Sequence, residues 1–373
     1  MTRTAEVVIV GAGPIGCSVA WHLAAAGVRD VLVVDRAHDF GGGSAPLATG
    51  GFRVQFSSEI NIRISLLSRE KLRRFRDDVG VDSGYDPCGY LFLARSEAAL
   101  DDLRAANRLQ QSLGVTEARI ISAGEARLLN PAIGDDAIIG GAFCPTDGFI
   151  RAMKILRGYG EDARRRGVQF SFDTNVLAIE GNRVRTGDET ITAGVIVNAA
   201  GAWAATLGLD IPITPLRRQV APTIPTGVLP PSTPMTIWVD DGFHIRERDG
   251  RALLLWPDPT PAGFDATFDE RWLEPLCRFR DARVPVLRDV PIDRALCWAG
   301  LYEMSPDRHC ILGRVTEHVI LANGSSGHGV MHAPAIGQLV AELVMGQPTA
   351  FDVTSLRPSR FAEGQPITAS HLL

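Results

Sequence analysis

Lysine is nearly absent from this chain of 373 residues. Only Lys71 and Lys154 are lysines among the 38 basic residues, and the other 36 are arginines. Codon bias in a GC-rich genome is the simplest explanation of this composition. It nevertheless leaves only two candidates for any chemistry that needs a lysine amine.

Cysteine pairs, a strong net charge and uninterrupted apolar runs are also missing. The six cysteines are scattered, without a C-x-x-C pair or metal-ligand spacing, which is typical of buried thiols in a reducing compartment. A net charge of −5 and a pI near 5.9 argue against nucleic acid or an anionic membrane as the main partner. The apolar start Val7–Val28 is interrupted by glycines and Pro14, which favours a strand–turn–helix unit over a signal peptide or membrane helix. We therefore expect a cytoplasmic protein.

The N-terminal segment predicts a βαβ unit of a parallel sheet. Glu6–Val10 is a β-branched run that stops at a glycine, Pro14–Ala26 has helical spacing, and Val31–Val34 is a second buried strand. Val195–Asn198 and His318–Ala322 predict further strands, so α/β character is expected at both ends of the chain. Other helices are predicted at Glu59–Asp78, Ala98–Leu113, Ser122–Leu129, Phe149–Gly167 and Ala333–Met345.

A glycine-rich turn, Gly11-Ala12-Gly13-Pro14-Ile15-Gly16, follows the first predicted strand. Gly11 allows the tight turn, Gly13 lets the backbone approach a pyrophosphate, and Gly16 lets helix and strand pack closely. Asp35 lies 19 residues past Gly16, where a carboxylate hydrogen-bonds ribose hydroxyls. The strand, the helix and the acid together indicate a dinucleotide-binding site.

Two further glycine clusters favour FAD over a nicotinamide cofactor. Asn198–Trp203 ends a buried strand in small residues, and Gly324–Gly329 leads into the last helix, whose N-terminus suits an electron-rich ligand edge. A loosely bound nicotinamide cofactor does not need three backbone contact zones spread over the chain. A large, permanently held cofactor does, so FAD is the better interpretation.

The predicted fold class is α/β plus α+β. Many prolines and short alternating runs between Pro212 and Pro261 predict an antiparallel sheet that interrupts the dinucleotide-binding fold. We therefore predict a discontinuous FAD-binding, Rossmann-like domain with a parallel sheet at residues 1–83, 146–212 and 299–373, and an inserted antiparallel-sheet substrate domain at residues 84–145 and 213–298.

Several motifs in a fixed order carry a family resemblance. Besides the N-terminal fingerprint they are Ala48–Phe56, Asp147–Phe149, Asn198–Trp203, Gly242–His244, Gly300–Asp307 and Ser326–Gly329. On these residues the chain resembles the D-amino-acid oxidase superfamily, in its glycine oxidase, sarcosine oxidase and dimethylglycine dehydrogenase branch. The resemblance covers nearly the whole chain. It implies a flavoenzyme whose isoalloxazine ring lies between an FAD domain and a β-sheet substrate domain.

The glycine clusters and the resemblance together imply a set of cofactor-binding residues. They are Gly11, Gly13, Pro14, Ile15, Gly16, Asp35, Arg36, Ser44, Thr49, Gly50, Gly51, Val176, Ala200, Gly201, Trp203, Gly300, Ser326, Gly327, His328, Gly329 and Val330.

The resemblance also implies five catalytic or substrate-facing positions. Arg53 matches the arginine that holds a substrate carboxylate, the alternative being a structural arginine. His244 and Tyr302 match positions that are usually tyrosines facing the substrate; His244 could take the proton of a substrate ammonium near neutral pH, or it could pair with a strand neighbour. His328 matches a residue that helps to polarise the flavin. Met331 stands where sarcosine oxidases have a carboxylate-binding lysine.

Other family features are missing from this chain. Gly300 replaces the cysteine that monomeric sarcosine oxidases bond to flavin, and Ser44–Gly51 contains no histidine for the attachment found in dimethylglycine dehydrogenases. We therefore expect non-covalent FAD.

No lysine follows Lys154, so the family's oxygen-activating lysine is absent too. Either an arginine or a histidine supplies that positive charge, or oxygen is not the electron acceptor.

These observations predict an FAD-dependent oxidase of the C–N bond of an amino acid or N-substituted glycine. A hydride would pass to flavin, water would hydrolyse the imine, and oxygen would reoxidise the flavin with formation of hydrogen peroxide. The alternatives are a dehydrogenase subunit that passes electrons to a partner and a non-catalytic flavin-binding assembly factor. A small-molecule amine is the expected partner, and a homo-oligomer or a heteromeric electron-transfer complex is compatible with the sequence. We expect neither nucleic acid nor a membrane as partner, and no metal.

Overall fold

The computed structural model describes residues 2–257 and 262–368. Within these ranges the strands are β1 (Thr2–Val10), β2 (Val31–Val34), β3 (Gly51–Phe52), β4 (Tyr90–Ala94), β5 (Arg119–Ser122), β6 (Gly140–Cys144), β7 (Gly148–Phe149), β8 (Gln169–Ser171), β9 (Val176–Glu180), β10 (Arg183–Thr186), β11 (Thr190–Asn198), β12 (Thr214–Pro222), β13 (Met235–Trp238), β14 (His244–Arg248), β15 (Arg251–Leu255), β16 (Trp298–Met304), β17 (Ile311–Arg314) and β18 (Val319–Asn323). The α-helices are α1 (Pro14–Ala25), α2 (Glu59–Arg73), α3 (Phe75–Val79), α4 (Glu97–Ser112), α5 (Ala123–Leu129), α6 (Ala152–Arg165), α7 (Leu273–Arg283) and α8 (Gly329–Val344).

The first sheet contains the predicted βαβ unit. Its strand order is β17-β18-β11-β1-β2-β8, in which β1 runs parallel to β2 and β11, and β11 runs parallel to β18. The side chains of β1 alternate between two core clusters: Val7 and Ile9 pack with residues of α1 and α8, whereas Val8 and Val10 pack on the opposite face. Both faces are therefore covered, which explains the continuous apolar sequence of these strands.

The second sheet holds the strands of the proline-rich insert. Its order is β16-β12-β15-β14-β13-β4-β6-β5, and all neighbours are antiparallel except β13 and β4. One face packs Trp238, Phe243 and Leu276 into a separate core that α7 covers. The predicted α/β plus antiparallel fold class is confirmed.

Two predicted helices are shorter than the sequence pattern suggests. The helix expected over Glu59–Asp78 divides at Arg74 into α2 and α3. The helix expected over Phe149–Gly167 begins only at Ala152, because Gly148 and Phe149 pair with β3. Such a long-range pairing leaves no local signal in the sequence.

The last helix begins earlier than expected. The sequence pattern predicted this helix over Ala333–Met345. In the structure α8 begins at Gly329, and Pro334 lies inside the helix. The glycine loop before it therefore leads directly into the helix.

The strand β16 bears on the predicted domain boundaries. Residues 299–373 were assigned to the FAD-binding domain, yet β16 hydrogen-bonds along β12 in the second sheet. The domain boundaries stay predictions. The apolar N-terminal segment forms β1 and α1, and none of the helices in the described ranges is long and apolar enough to cross a membrane.

Candidate cofactor and active site

A cavity of about 600 Å³ is lined by residues of both sheets. Every predicted cofactor-binding residue except Gly16 lines it. The five predicted catalytic positions, Arg53, His244, Tyr302, His328 and Met331, line the same cavity. The structure therefore brings together segments that are up to 320 residues apart in the sequence, and the role of each residue remains a prediction.

The first glycine turn offers bare backbone to the cavity. Gly11 has φ +110°, and a Cβ there would lie 2.4 Å from the carbonyl oxygen of Ala199. A Cβ at Gly16 would lie 1.9 Å from the oxygen of Gly11, so Gly16 permits packing rather than ligand contact. Gly13 has no atom within 4 Å of a Cβ position and lines the cavity. This geometry fits a pyrophosphate at the N-terminus of α1.

Asp35 braces this turn from the end of β2. Its Oδ2 accepts a hydrogen bond from the N–H of Ala12 at 2.6 Å, and its Oδ1 accepts one from Ala37 at 2.8 Å. Each carboxylate oxygen has a second acceptor position, so the brace is compatible with the predicted ribose contact. Nearby, the guanidinium of Arg36 lies 3.7 Å from the ring centroid of Trp203, and both residues line the cavity.

The loop Thr49–Gly51 is held by an arginine that sequence reasoning missed. Gly50 has φ +79°, and a Cβ there would lie 2.4 Å from the oxygen of Ile150. Arg246 donates a hydrogen bond to the carbonyl oxygen of Thr49 and stacks 3.5 Å from the ring centroid of Phe149. Burial lowers the pKa of Arg246 to about 10, so it remains charged at neutral pH.

The loop before α8 approaches the predicted substrate-facing residues Arg53 and Tyr302, and this part of the cavity is here called the substrate end. Gly324, Ser326 and Gly327 all have positive φ, at +66°, +51° and +93°. A Cβ at Gly327 would lie 2.4 Å from the ring of Tyr302. Only glycine therefore allows this close approach to Tyr302, a contact that the glycine pattern in the sequence did not predict.

Arg53 is buried at this end, with 4% of its surface exposed. Its guanidinium lies 4.2 Å from the ring centroid of Phe56, and its Nη1 donates to the oxygen of Gln55 at 3.2 Å. Its Nη2 lies 3.1 Å from Nε2 of His328. Because arginine can only donate, Nε2 of His328 is the acceptor, and its hydrogen is assigned to Nδ1. Burial, followed by the charge of Arg53, lowers the pKa of His328 well below its usual value.

His244 is a neutral imidazole with one nitrogen available. Its Nδ1 lies 2.8 Å from the carbonyl oxygen of Gly242, so Nδ1 carries the hydrogen and Nε2 has the lone pair. Burial lowers the pKa of His244 to about 4, and the charges of Arg218 and Arg53 act in the same direction. His244 thus pairs locally through Nδ1, and its Nε2 is able to accept a hydrogen bond. It is a much weaker proton acceptor near neutral pH than the sequence suggested.

Tyr302 presents 36% of its surface and lines the cavity. The guanidinium of Arg218 lies 5.6 Å from its ring centroid. In the pairing of β12 with β16, Arg218 stands opposite Gly300, and it also lines the cavity. Sequence reasoning missed Arg218, because only the strand register brings it beside the predicted site.

Two further missed residues surround Arg53. Asp147 accepts hydrogen bonds from the N–H of Val54 at 2.8 Å and the side chain of Gln55 at 3.0 Å, and burial raises its pKa to about 6. Tyr90 lines the cavity, and burial raises its pKa to about 12. Asp147 belongs to a motif that the resemblance identified, so its position, though not its role, was visible in the sequence.

Comparison with known proteins gives the class of this chain. A family model described as FAD dependent oxidoreductase matches residues 6–343. The match covers most of the chain, so the chain belongs to this family of FAD-dependent oxidoreductases and is an enzyme that uses FAD. The glycine turns that line the cavity fit this cofactor, because they leave space at positions that a side chain would otherwise fill.

Individual relatives agree with the predicted branch. The chain is 27% identical to glycine oxidase of Geobacillus kaustophilus (strain HTA426), over 96% of this chain and 98% of that protein. It is 28% identical to mitochondrial dimethylglycine dehydrogenase of Rattus norvegicus, over 96% of this chain but only 45% of that protein. This chain thus spans about half the length of that relative. The crystal structure of L-proline dehydrogenase from P. horikoshii matches with a TM-score of 0.90 and 28% identity, over 98% of this chain and 100% of that one.

Proposed function

We propose that the enzyme oxidises the C–N bond of an amino acid or N-substituted glycine, a secondary amine. The observation that carries this proposal is the position of Arg53, His244 and Tyr302 on the wall of the cavity that the cofactor loops also line. The substrates named for the relatives, glycine, dimethylglycine and L-proline, are all amino acids. When bound, FAD supplies the acceptor for a hydride from the α-carbon, and its reoxidation by oxygen would give hydrogen peroxide.

Arg53 would bind the substrate carboxylate. Its planar guanidinium is fixed by stacking on Phe56 and by donation to Gln55 and His328. A guanidinium held in this way can bind a carboxylate in two parallel hydrogen bonds, which sets the direction of the α-carbon. His328 would act by holding Arg53, because its Nε2 already accepts from that residue.

The amine would have to be neutral before hydride transfer, because its lone pair forms the imine. With a pKa of about 4, His244 is a poor proton acceptor for an alkylammonium of pKa about 10. Two guanidinium groups, Arg53 and Arg218, both influence this position electrostatically and would lower the pKa of a bound ammonium. We infer that the substrate binds with a neutral amine, whose N–H donates to Nε2 of His244. Water would then hydrolyse the imine.

The remaining wall favours a substituent larger and less polar than a methyl group. Met331 stands where a cation would be expected, and the apolar side chains of Met235, Ile237, Leu255 and Trp256 line the same cavity. Such a surface stabilises apolar atoms at about 25 cal/mol per Å² that they bury. We therefore expect N-alkyl glycines or cyclic secondary amino acids to be better substrates than sarcosine.

Anaerobic mixing of the holoenzyme with amines tests the proposal. A panel of glycine, sarcosine, N-ethylglycine, L-proline and D-proline should include a compound that bleaches the visible absorbance of the oxidised flavin. The corresponding amines without a carboxylate should bleach it far more slowly. Equal rates with and without the carboxylate would contradict the role of Arg53, and bleaching fastest with sarcosine would contradict the larger substituent.

A second candidate is a dehydrogenase that passes electrons to a partner. It is favoured by one observation: neither Lys71 nor Lys154 lines the cavity, so no lysine there can promote the reaction with oxygen. Arg218 would be the cation that replaces it in an oxidase. Peroxide formed in air at the rate of substrate consumption supports the oxidase, whereas slow peroxide with fast dye reduction supports the dehydrogenase.

We further propose that FAD is bound without a covalent bond. Gly300 lines the cavity where relatives in this branch carry a cysteine, and no cysteine is among the residues that line it in the described ranges. Acid precipitation should therefore release the flavin into the supernatant, and flavin retained in the pellet would contradict this. The cytoplasmic location and any oligomer or partner chain also stay predictions.

A further inference from the structure

Glu303 has a buried carboxylate oxygen without a protein partner at the wall of the cofactor cavity. Its Oε1 accepts the N–H of Ser325 at 3.1 Å, and its main-chain oxygen accepts the N–H of Ser326 at 3.1 Å. Its Oε2 has no hydrogen-bond partner among the described residues, although Glu303 is only 9% exposed. A buried carboxylate oxygen in this state is strongly unfavourable unless a ligand satisfies it.

The free oxygen lies near the second glycine cluster. A Cβ at Gly201 would lie 4.0 Å from Oε2 of Glu303, and both residues line the cavity. Gly201 closely follows Ala199, whose carbonyl packs against the fingerprint residue Gly11. On the other side, Tyr302 precedes Glu303 on β16 and borders the substrate end. The carboxylate of Glu303 therefore lies beside the glycine cluster that packs against the pyrophosphate turn, on the strand that also carries Tyr302.

The charge around Glu303 restricts what can bind there. Burial raises its pKa, and the groups that oppose this rise are the hydroxyl and amide of Ser325 and the amide of Gly324 rather than an arginine. A phosphate would be repelled, because it too is an anion and an acceptor. A hydroxyl can donate to Oε2, and the part of FAD between the pyrophosphate and the ring is a chain of ribityl hydroxyls.

We propose that Glu303 is a cofactor-binding residue whose Oε2 accepts a hydrogen bond from a ribityl hydroxyl of FAD. The inference depends on FAD binding alone, so it can fail or succeed whatever the substrate is. It also gives Glu303 two tasks, because Oε1 and the main-chain oxygen hold the loop before α8.

Titration of the apoprotein with FAD and with ADP tests this assignment. ADP contains the adenosine and pyrophosphate but no ribityl chain. In Glu303→Ala we expect the Kd for FAD to rise by about 10- to 100-fold, as for loss of one hydrogen bond to a charged acceptor, while the Kd for ADP stays within about twofold. Glu303→Gln retains an oxygen for Ser325 and provides a second variant if the alanine variant does not fold. Glu247→Gln is the matched control, since Glu247 is buried but does not line the cavity.

FAD analogues that lack single ribityl hydroxyls identify the donor. For at least one analogue, the Kd for the wild-type protein should be about 10-fold higher than the Kd for FAD. For Glu303→Ala, the Kd values for that analogue and for FAD should be equal, because the acceptor is already missing. Equal weakening of FAD and ADP in folded variants would assign Glu303 a purely structural role and overturn the proposal. Unchanged FAD affinity, or analogue losses identical in wild type and variant, would overturn it as well.

Discussion

The two walls of the cavity differ in what they offer a ligand. The predicted cofactor wall includes the backbone of glycine turns, among them Gly11, Gly13, Gly50, Gly327 and Gly329. The predicted substrate wall consists of side chains, among them Arg53, His244 and Tyr302. A backbone wall tolerates almost no added atoms, whereas a side-chain wall can change its chemistry by single substitutions. Binding of FAD and choice of substrate should therefore be separable by mutation.

Substitution of Arg53 gives the largest expected separation. In Arg53→Lys the charge remains but the fixed, planar pair of donors is lost, so kcat/KM should fall by about 100- to 1,000-fold. The Kd for FAD should change by less than about threefold. Stopped-flow flavin reduction and FAD titration measure the two quantities. Arg278→Lys, in an exposed pair with Glu274, is the matched control and should leave both unchanged. A loss of FAD affinity as large as the loss of activity would end the distinction between the walls.

Substitution of Gly13 should give the reverse pattern. No atom lies within 4 Å of its Cβ position, and its φ of −75° suits alanine, so Gly13→Ala should fold with an unchanged apoprotein melting temperature. The added methyl group would occupy space for the pyrophosphate, and we expect the Kd for FAD to rise about 100-fold. Equilibrium titration tests this, with the exposed Gly187→Ala as control. FAD affinity unchanged by Gly13→Ala would argue against a pyrophosphate at this turn.

Acid should weaken the first sheet and the helices packed on it more than the second sheet. Burial lowers the pKa of both His22 and His332 to about 3, and it also lowers the pKa of His309 and His328. Among the histidines whose pKa is lowered in this way, only His244 lies in a strand of the second sheet. As pH falls below about 6.5, the unfolded chain takes up protons that these buried rings do not, so stability decreases. His22 and His332 should each contribute a loss of about 2 kcal/mol between pH 7 and pH 5, and His309 and His328 should act in the same direction.

Hydrogen exchange at the two pH values, corrected for intrinsic rates, locates this loss. Protection should decrease more in β1, β11 and α8 than in β12–β15. His38 is exposed, and its surroundings raise rather than lower its pKa, so it should not contribute to the loss of stability in acid. The variant His38→Ala is therefore the control. Equal loss in both sheets would remove this difference between the two sides.

Tyr302→Phe should have the smallest effect. It removes one hydroxyl from the substrate wall but keeps the ring against Gly327, so we expect kcat/KM to fall about 10-fold or less with FAD affinity unchanged. Steady-state kinetics with the best substrate of the panel measure it. A fall of more than 100-fold would mean that the phenol takes part in proton transfer rather than in orientation.

The same contrast explains how much could be predicted from the sequence. The cofactor wall follows local patterns, so Gly11, Asp35 and Gly327 were identified from spacing and from the family resemblance. The substrate wall depends on long-range pairing. Arg218 reaches the cavity only because β12 pairs with β16, and Arg246 only because its side chain extends to Thr49. Likewise, the pKa of His244 depends on burial and on two arginines distant in the sequence, which no local pattern reveals.

The scarcity of lysine has a final consequence for an enzyme of this chemistry. Hydrolysis of an imine releases an aldehyde or an oxo acid, and such carbonyl compounds condense with lysine amines. Lys154 lies on α6 at the surface, paired with Asp82, and Lys71 lies on α2; neither lines the cavity. A carbonyl product of the proposed reaction would therefore meet guanidinium groups rather than lysine amines as it leaves this cavity. The protein would in this respect resist modification by the product of that reaction.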